Sequence, residues 1–517
     1  MQPKLHRSIS DWLEKADHLI DRFAPAAAII LLLLFGIWAW SASHHVKFQF
    51  DELLEMAAAT APSNHDVLAF LASGVDFNPP LSHFLIRASV AVFGESEWAA
   101  RLPAFAGILT LLLCIYVYVA KRLRRSYGLI AILLILGLPV RLYAIQARPY
   151  GLVLGISGLV LLLYQAAQGK RRLFVLPCLM LCTAALAASH YYAVLVVGVL
   201  IAAELSRSWM QKRIDWLLLC SCALPPIAVL FVLRNAIHEQ RMVLTHYFAR
   251  GNLLSFKHGY DELLMDPLVL SIALLLVVGL LLLRLPRTDD QAPLLLSMHE
   301  WTFAIGLLLL PILGAFVTQF VTHAYVPRYF LPAAIGFSIC ACCMIRSLSQ
   351  VLPSITVILV VSLTIGLGKV ALQEVPHQSD DLPLASDLAV ENTPILFDTP
   401  GTYEEAYYYL PSLRKNMWVI AEPAASLRYR QYDTDDKIML ALAQHGHAQA
   451  VSIREAVQRW TDFRLVPRSA DYVWALKCFM ETGSQIEVRH PFGNSNFVFN
   501  VHVKPGSLSD IEACAVQ

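Results

Sequence analysis

Charge is the scarcest property of this sequence. Of 517 residues only 15% are Asp, Glu, Lys or Arg, against 57% hydrophobic, and the mean hydropathy is +0.55. That balance excludes an ordinary soluble domain and leaves a polytopic membrane protein. A field of one sign is missing as well: forty basic residues against thirty-nine acidic give a formal charge of +1, so nothing global draws in nucleic acid. No small-residue cleavage site follows the first apolar run, and Lys4, Arg7, Lys15 and Arg22 ahead of it are mixed with acidic groups. Residues 1–22 therefore precede a retained anchor rather than a signal peptide. Cysteine is nearly absent from the polar parts. Eight of the ten (Cys114, Cys178, Cys182, Cys220, Cys222, Cys340, Cys342 and Cys343) fall in apolar runs, where Cys behaves as a small hydrophobe.

Lys, Arg, Asp and Glu are also missing from the centre of every apolar run. A charge there costs ~2.5–3.5 kcal/mol on insertion scales and is kept where a substrate or proton pathway uses it. The absence argues against a transport pathway.

What is present is a series of runs long enough to cross a ~30 Å hydrocarbon core, which takes ~20 apolar residues. They lie at 23–41, 102–120, 126–143, 150–168, 173–189, 192–205, 214–233, 267–284, 301–321, 329–347 and 351–371, eleven in all. Alternate connections are basic: Lys121-Arg122-Leu123-Arg124-Arg125, then Lys170-Arg171-Arg172, then Arg207, Lys212 and Arg213. By the positive-inside rule these are cytoplasmic, which puts the amino terminus inside and the first polar loop outside. An odd number of spans exports the carboxy terminus.

From 373 the chain turns polar. Strand-like runs stand at 394–398, 416–421, 471–478, 485–489 and 496–503, with helical patterns at 403–413 and 435–445, which predicts a small exoplasmic α/β domain. Cys478 and Cys514 lie there, in a compartment that permits a disulfide. Spacing alone leaves their pairing open.

Sorted by this topology, polar groups gather at the outer ends of the spans. The first outer loop supplies Asp51, Glu52, Asp76, His83 and Arg101; later connections supply Gln146-Ala147-Arg148-Pro149-Tyr150, His190-Tyr191-Tyr192 and His323-Ala324-Tyr325-Val326-Pro327-Arg328-Tyr329. The loop 234–267 adds basic and His residues among apolar ones, in the manner of a lid or of an interfacial amphipathic helix.

The order Asp51-Glu52, Asn78-Pro79-Pro80-Leu81, Phe93-Gly94-Glu95-Ser96-Glu97-Trp98-Ala99-Ala100-Arg101-Leu102-Pro103, Gln146-Ala147-Arg148-Pro149-Tyr150 and Pro327-Arg328-Tyr329-Phe330-Leu331-Pro332 resembles the GT-C class of integral-membrane glycosyltransferases. It is most similar to bacterial relatives of the protein O-mannosyltransferases and lipid A aminoarabinose transferases. The resemblance implies a cytoplasmic segment at 1–22, an all-α transmembrane domain of about eleven helices at 23–372 with a catalytic first outer loop at 42–101, and a periplasmic α/β domain at 373–517. It implies transfer of a sugar from a polyprenyl phosphate, undecaprenyl phosphate in a bacterial inner membrane, to an envelope glycan, lipid or protein.

Within that resemblance Asp51, with Glu52 beside it, is the catalytic base, since an acceptor hydroxyl is a poor nucleophile until a carboxylate takes its proton. Attack from the opposite face to the phosphate gives inversion. Taken alone, an Asp-Glu pair is more often a solvated helix start. Arg148 and Arg328, with Arg101 third, suit the departing lipid phosphate because guanidinium stays charged and bonds two oxygens; taken singly, each also fits interfacial snorkelling. His83, His190, Tyr191 and Tyr329 complete the expected substrate-binding set, with the aromatic belt as the other reading of the tyrosines. A divalent metal held by His and carboxylate is left open, for no tight ligand spacing marks a site. Relatives that transfer amino-sugars often carry a Lys just before the Pro-Pro turn, where this chain has Asn78, so their donor and acceptor are not carried over. Two rivals remain at this stage: a lipid or glycan transporter, and a non-catalytic envelope assembly protein.

Overall fold

The first apolar run is the end of a long helix, α1 (Gln2–His45), in the computed structural model of the chain. The structure describes residues 2–264, 296–349, 354–372, 388, 393–467, 474–492 and 496–516. Ten of the eleven expected apolar runs are helical there, and 267–284 lies outside the described residues. Five helices are long and apolar enough to cross a membrane: Lys15–His45, Glu97–Arg122, Pro149–Ala166, Arg172–Ser189 and Tyr191–Met210. The number rises to eight if each of three broken pairs counts as one span. Two breaks fall at prolines: Arg125–Gly137 bends by 71° into Pro139–Ile145, and Met298–Leu308 by 60° into Leu310–Thr322, because Pro removes a backbone donor and clashes with the preceding turn. The remaining runs are the shorter helices Ala333–Ser349 and Ile355–Leu372.

Two compact units divide the chain: 1–44, 89–232 and 250–375 form one, and 45–88, 233–249 and 376–517 the other. The first is the helical bundle. Its centre is the contact between α5 (Glu97–Arg122) and α7 (Pro149–Ala166), where backbones touch. A Cβ on Gly107 would lie 2.2 Å from the Gly151 carbonyl oxygen, and one on Gly155 would lie 2.4 Å from that of Gly107. Only glycine permits this approach, which supplies dispersion contacts where no water is displaced. At the end of α7 remote from Arg148, buried and partly buried ion pairs tie helices together. Arg207 donates to Glu204 at 2.7 Å and to Asp215 at 2.9 Å, Arg172 shares Asp215, Tyr164 donates to Glu204 at 3.1 Å, and Arg122 pairs with Glu300. The basic connections 121–125, 170–172 and 207–213 thus supply the cations of these clusters.

The second unit is built on a six-stranded sheet of order β3-β2-β1-β4-β6-β5, with β1 Ile395–Phe397, β2 Met417–Ile420, β3 Ala450–Val451, β4 Asp462–Val466, β5 Gln485–Phe492 and β6 Asn496–His502. β1 pairs in parallel with β2 and β4, and β6 runs antiparallel to β4 and β5. Ile395, Leu396 and Phe397 are all buried, as a strand covered on both faces requires. One face packs Leu396, Phe463, Leu465, Phe479 and Ile511. The other packs Ile395, Phe397, Met417 and Val419 against Leu54, Val67, Phe70 and Leu71 from α2 (Phe50–Ala59) and α3 (Asn64–Ala72). Much of the first outer loop therefore shares a core with the C-terminal region. Phe48 N–H donates to the Tyr409 hydroxyl at 2.7 Å, fixing the approach to α2.

Four expected strands coincide with β1, β2, β5 and β6. The run at 471–478 does not: residues 471–473 lie outside the described residues, and Trp474–Glu481 is a helix. Trp474, Ala475, Leu476, Cys478 and Phe479 are its buried positions, and the pairs Trp474–Cys478 and Ala475–Phe479, four apart, follow a helical rather than an alternating pattern. Cys478 is bonded to Cys514, Cα atoms 5.6 Å apart, and joins this helix to Leu508–Val516.

Burial also sets a pH dependence. Asp398, just beyond β1, is pushed up to about 7 by desolvation, against which the nearby Arg430 charge acts. Glu404 is pushed up to about 8 by the same cause, opposed by Arg414. Between the ordinary carboxylate range and these values the folded unit holds protons that the unfolded chain has released, so its stability falls as pH rises from about 4 to 8 and then levels. Hydrogen exchange of the peptide carrying β1, corrected for intrinsic rates, is expected to lose at least about ten-fold of its protection between pH 6 and 8. Asp398→Asn should make that profile shallower, and Asp398→Asn with Glu404→Gln should flatten it; protection that holds or rises with pH in the native chain contradicts it.

Candidate active site

In the sheet unit, Asp51 and Glu52 occupy the first turn of α2, where the exposed backbone N–H groups favour acidic side chains. Their placements differ. Asp51 is half-buried, whereas Glu52 is buried and its carboxylate accepts the backbone N–H of Gln49 at 3.0 Å, one arm of a capping box. Glu55 follows Asp51 by one helical turn. After α3 the chain reverses at Gly74, whose φ of +80° is open to glycine at no steric cost, and Asp76, Asn78 and the Pro79-Pro80 turn lead into α4 (Leu81–Phe93). Here His83 meets Glu55 and Asp76, all three buried, with ligand-type atoms within 4.8 Å of one another. Gln240 from α11 (Arg234–Val243) holds the turn by donating to the carbonyls of Leu71 and Asp76 at 3.0 and 3.1 Å. Part of the loop expected as a lid or an interfacial helix is thus a buttress.

In the bundle unit, Arg148 is the N-cap of α7, with Pro149 as its first helical residue, the position where Pro costs no hydrogen bond. Arg328 lies in the short turn Pro327–Phe330. The two side chains converge on one ring. Their guanidinium carbons are 5.9 and 5.6 Å from the centroid of Tyr150, and Arg328 Nε donates to the Tyr150 hydroxyl at 3.0 Å. Attraction of a guanidinium to an aromatic ring at this range holds it in place while leaving N–H groups for an anion. Around Tyr150 stand Tyr143 at 5.4 Å, His190 at 5.6 Å and Tyr329 at 6.2 Å between ring centroids. His190 is set by accepting the Tyr192 N–H at 3.2 Å and lies 4.5 Å from Tyr329. Tyr143 donates to Glu262 on α12 (Phe256–Leu264) at 2.9 Å.

Of the residues singled out from sequence, Arg148, Arg328, His190 and Tyr329 are brought together, and Tyr191 opens the turn next to His190. Arg101 is buried and donates to the Ser43 carbonyl at 3.1 Å, where α1 ends, and His83 is fully buried beside Glu55. Sequence reasoning passed over three residues. Tyr150 was read only as part of a motif, although it is the ring on which both arginines rest. Glu55 carried a usable signal, its four-residue spacing from Asp51 on a helix. Glu262 carried none, since its partner is 119 residues away.

Residues 78–232 match the family model described as dolichyl-phosphate-mannose-protein mannosyltransferase. No curated protein matches the chain in sequence. Among solved structures, ArnT from Cupriavidus metallidurans in the apo state is similar at a TM-score of 0.60 and 12% identity, over 92% of this chain and 98% of that one. The same protein bound to undecaprenyl phosphate is similar at 0.57 and 12%, over 91% and 97%. The expected resemblance is borne out in the fold: over nearly its whole length this chain is folded like ArnT, and residues 78–232 match the mannosyltransferase family model.

Proposed function

We propose that this protein transfers a sugar from a polyprenyl-phosphate-linked donor to an envelope glycan, lipid or protein, at the outer face of a bacterial inner membrane. In this reading the amino terminus is cytoplasmic and the sheet domain periplasmic. The observation that carries it is the pair Arg148 and Arg328 on Tyr150 at one end of the bundle, a cationic seat suited to a lipid phosphate. ArnT, which shares the fold, has been seen with undecaprenyl phosphate. The donor is a phosphodiester, so the leaving group is a polyprenyl monophosphate whose new charge the two guanidinium groups stabilise.

The acceptor oxygen forms a bond to the anomeric carbon as the bond from that carbon to the phosphate oxygen breaks. The bonding pair leaves with the phosphate, and the acceptor proton passes to the Asp51 carboxylate. A single displacement inverts the anomeric centre. His190, Tyr191 and Tyr329 line the donor in this scheme, while Arg101 and His83, both buried, act through the elements they hold, and Glu52 caps the helix that presents Asp51.

Purified full-length protein, given a panel of labelled polyprenyl-phosphate sugars and envelope extracts, tests the proposal. Label entering an acceptor from one donor supports it. Inertness toward the whole panel, with a folded protein, removes it.

A further inference from the structure

Helix α2, the turn ahead of Pro79 and helix α4 deliver Glu55, Asp76 and His83 to one buried point, with exposures of 0%, 3% and 0%. His83 Nε2 lies 3.2 Å from a Glu55 oxygen and 3.6 Å from an Asp76 oxygen. The outward oxygens of both carboxylates are held by neighbours. Asn78 donates its side-chain N–H to Glu55 at 3.2 Å, and its side-chain and backbone N–H groups to Asp76 at 2.8 and 2.9 Å. Ser82 donates at 3.3 Å to the Glu55 oxygen that faces His83, and its hydroxyl lies 3.4 Å from His83 Nδ1. Two carboxylate oxygens are thereby aimed at the same imidazole nitrogen.

We infer that Glu55, Asp76 and His83 bind a divalent cation of the zinc type. An imidazole nitrogen carries one proton at most, so a single N–H bond serves two converging carboxylate oxygens poorly, and the two like charges repel. A divalent ion bonds all three atoms and offsets both charges. The spacing fits as well. Tetrahedral bonds of about 2.0–2.2 Å put neighbouring ligand atoms about 3.3–3.6 Å apart, against 3.2 and 3.6 Å between Nε2 and the two oxygens. Imidazole with two carboxylates favours Zn²⁺, with Mn²⁺ the next fit. Asn78 and Ser82 orient the ligands as outer partners do in metal sites. The ion would fasten α2 to the Pro79-Pro80 turn and to α4, one helical turn from Asp51, as a positioning centre.

Metal content is read without any sugar transfer, so this inference and the proposed reaction fail separately. Full-length protein carrying no polyhistidine tag is purified in detergent and analysed by mass spectrometry for metals. It is expected to hold about one ion per chain, to lose several °C of thermal stability on chelation, and to recover it with ~100 μM Zn²⁺ or Mn²⁺. In the Mn²⁺ form, spin-echo spectroscopy should show coupling to one imidazole nitrogen, absent in His83→Gln. Glu55→Gln, which keeps shape, should lose the ion. A native chain that holds no metal and whose melting ignores both ions overturns the site, as does a folded His83→Gln that keeps its full metal content. If the variants do not fold, chelation and re-addition on the native chain still decide.

Discussion

Asp51→Asn is expected to lower turnover by about 10²- to 10⁴-fold, the range that a positioned general base supplies, with donor binding unchanged. The substitution keeps size and polarity at the first turn of α2, where Asp51 is half-buried, and removes only the ability to take a proton. Glu52 provides the contrast. Its carboxylate is turned back onto the Gln49 amide, and Gln serves a capping box nearly as well. Glu52→Gln should therefore keep most activity and melt within about 1 kcal/mol of the parent. The pair is measured by steady-state transfer, with donor affinity read separately. Equal losses at both positions would show that the base is not Asp51 alone, and full activity of Asp51→Asn would remove it from the mechanism.

The second large effect is expected at the arginine pair. Arg148→Ala and Arg328→Ala each remove a charge-assisted contact to phosphate, about 1.5–3 kcal/mol, and should weaken polyprenyl-phosphate binding by about 10- to 100-fold. Turnover should fall further than affinity, because negative charge on the phosphate grows toward the transition state. Both guanidinium groups lean on Tyr150, so the double variant should lose less than the product of the single losses. Lysine should rescue neither, since a rounded ammonium cannot present a planar edge with two N–H groups to the anion while staying against the ring. Tyr150→Phe deletes only the hydroxyl that accepts from Arg328 and should show the mildest loss of the set. Lipid-phosphate affinity by fluorescence titration, beside transfer rates, checks all of these. Native-like affinity in both alanine variants would place the phosphate elsewhere.

Sequence periodicity located the apolar helices because each is long and uninterrupted by charge, but the breaks at Pro139 and Pro311 fall inside runs read as continuous. It could not reveal that Leu54, Val67, Phe70 and Leu71 of the first outer loop are core residues of the sheet unit, since partners more than 300 residues away leave no local trace. Strands as short as Ala450–Val451 fall below any alternation signal. Of the site, Arg148 and Arg328 were legible from the neighbouring prolines that place each at a helix or turn start. Their convergence on Tyr150 was not, because residues 148 and 328 meet only through the fold. The same holds for Glu55, Asp76 and His83, whose scattered positions resemble no ligand motif.

The account depends most on the leaving group and the course of the substitution. One NMR experiment on purified native protein, with a phosphodiester polyprenyl donor and its acceptor, follows both through ³¹P and anomeric ¹H signals. Conversion of the phosphodiester to polyprenyl monophosphate, in step with a product of inverted anomeric configuration, is the predicted result. An untouched phosphodiester, or a product of retained configuration, would contradict it.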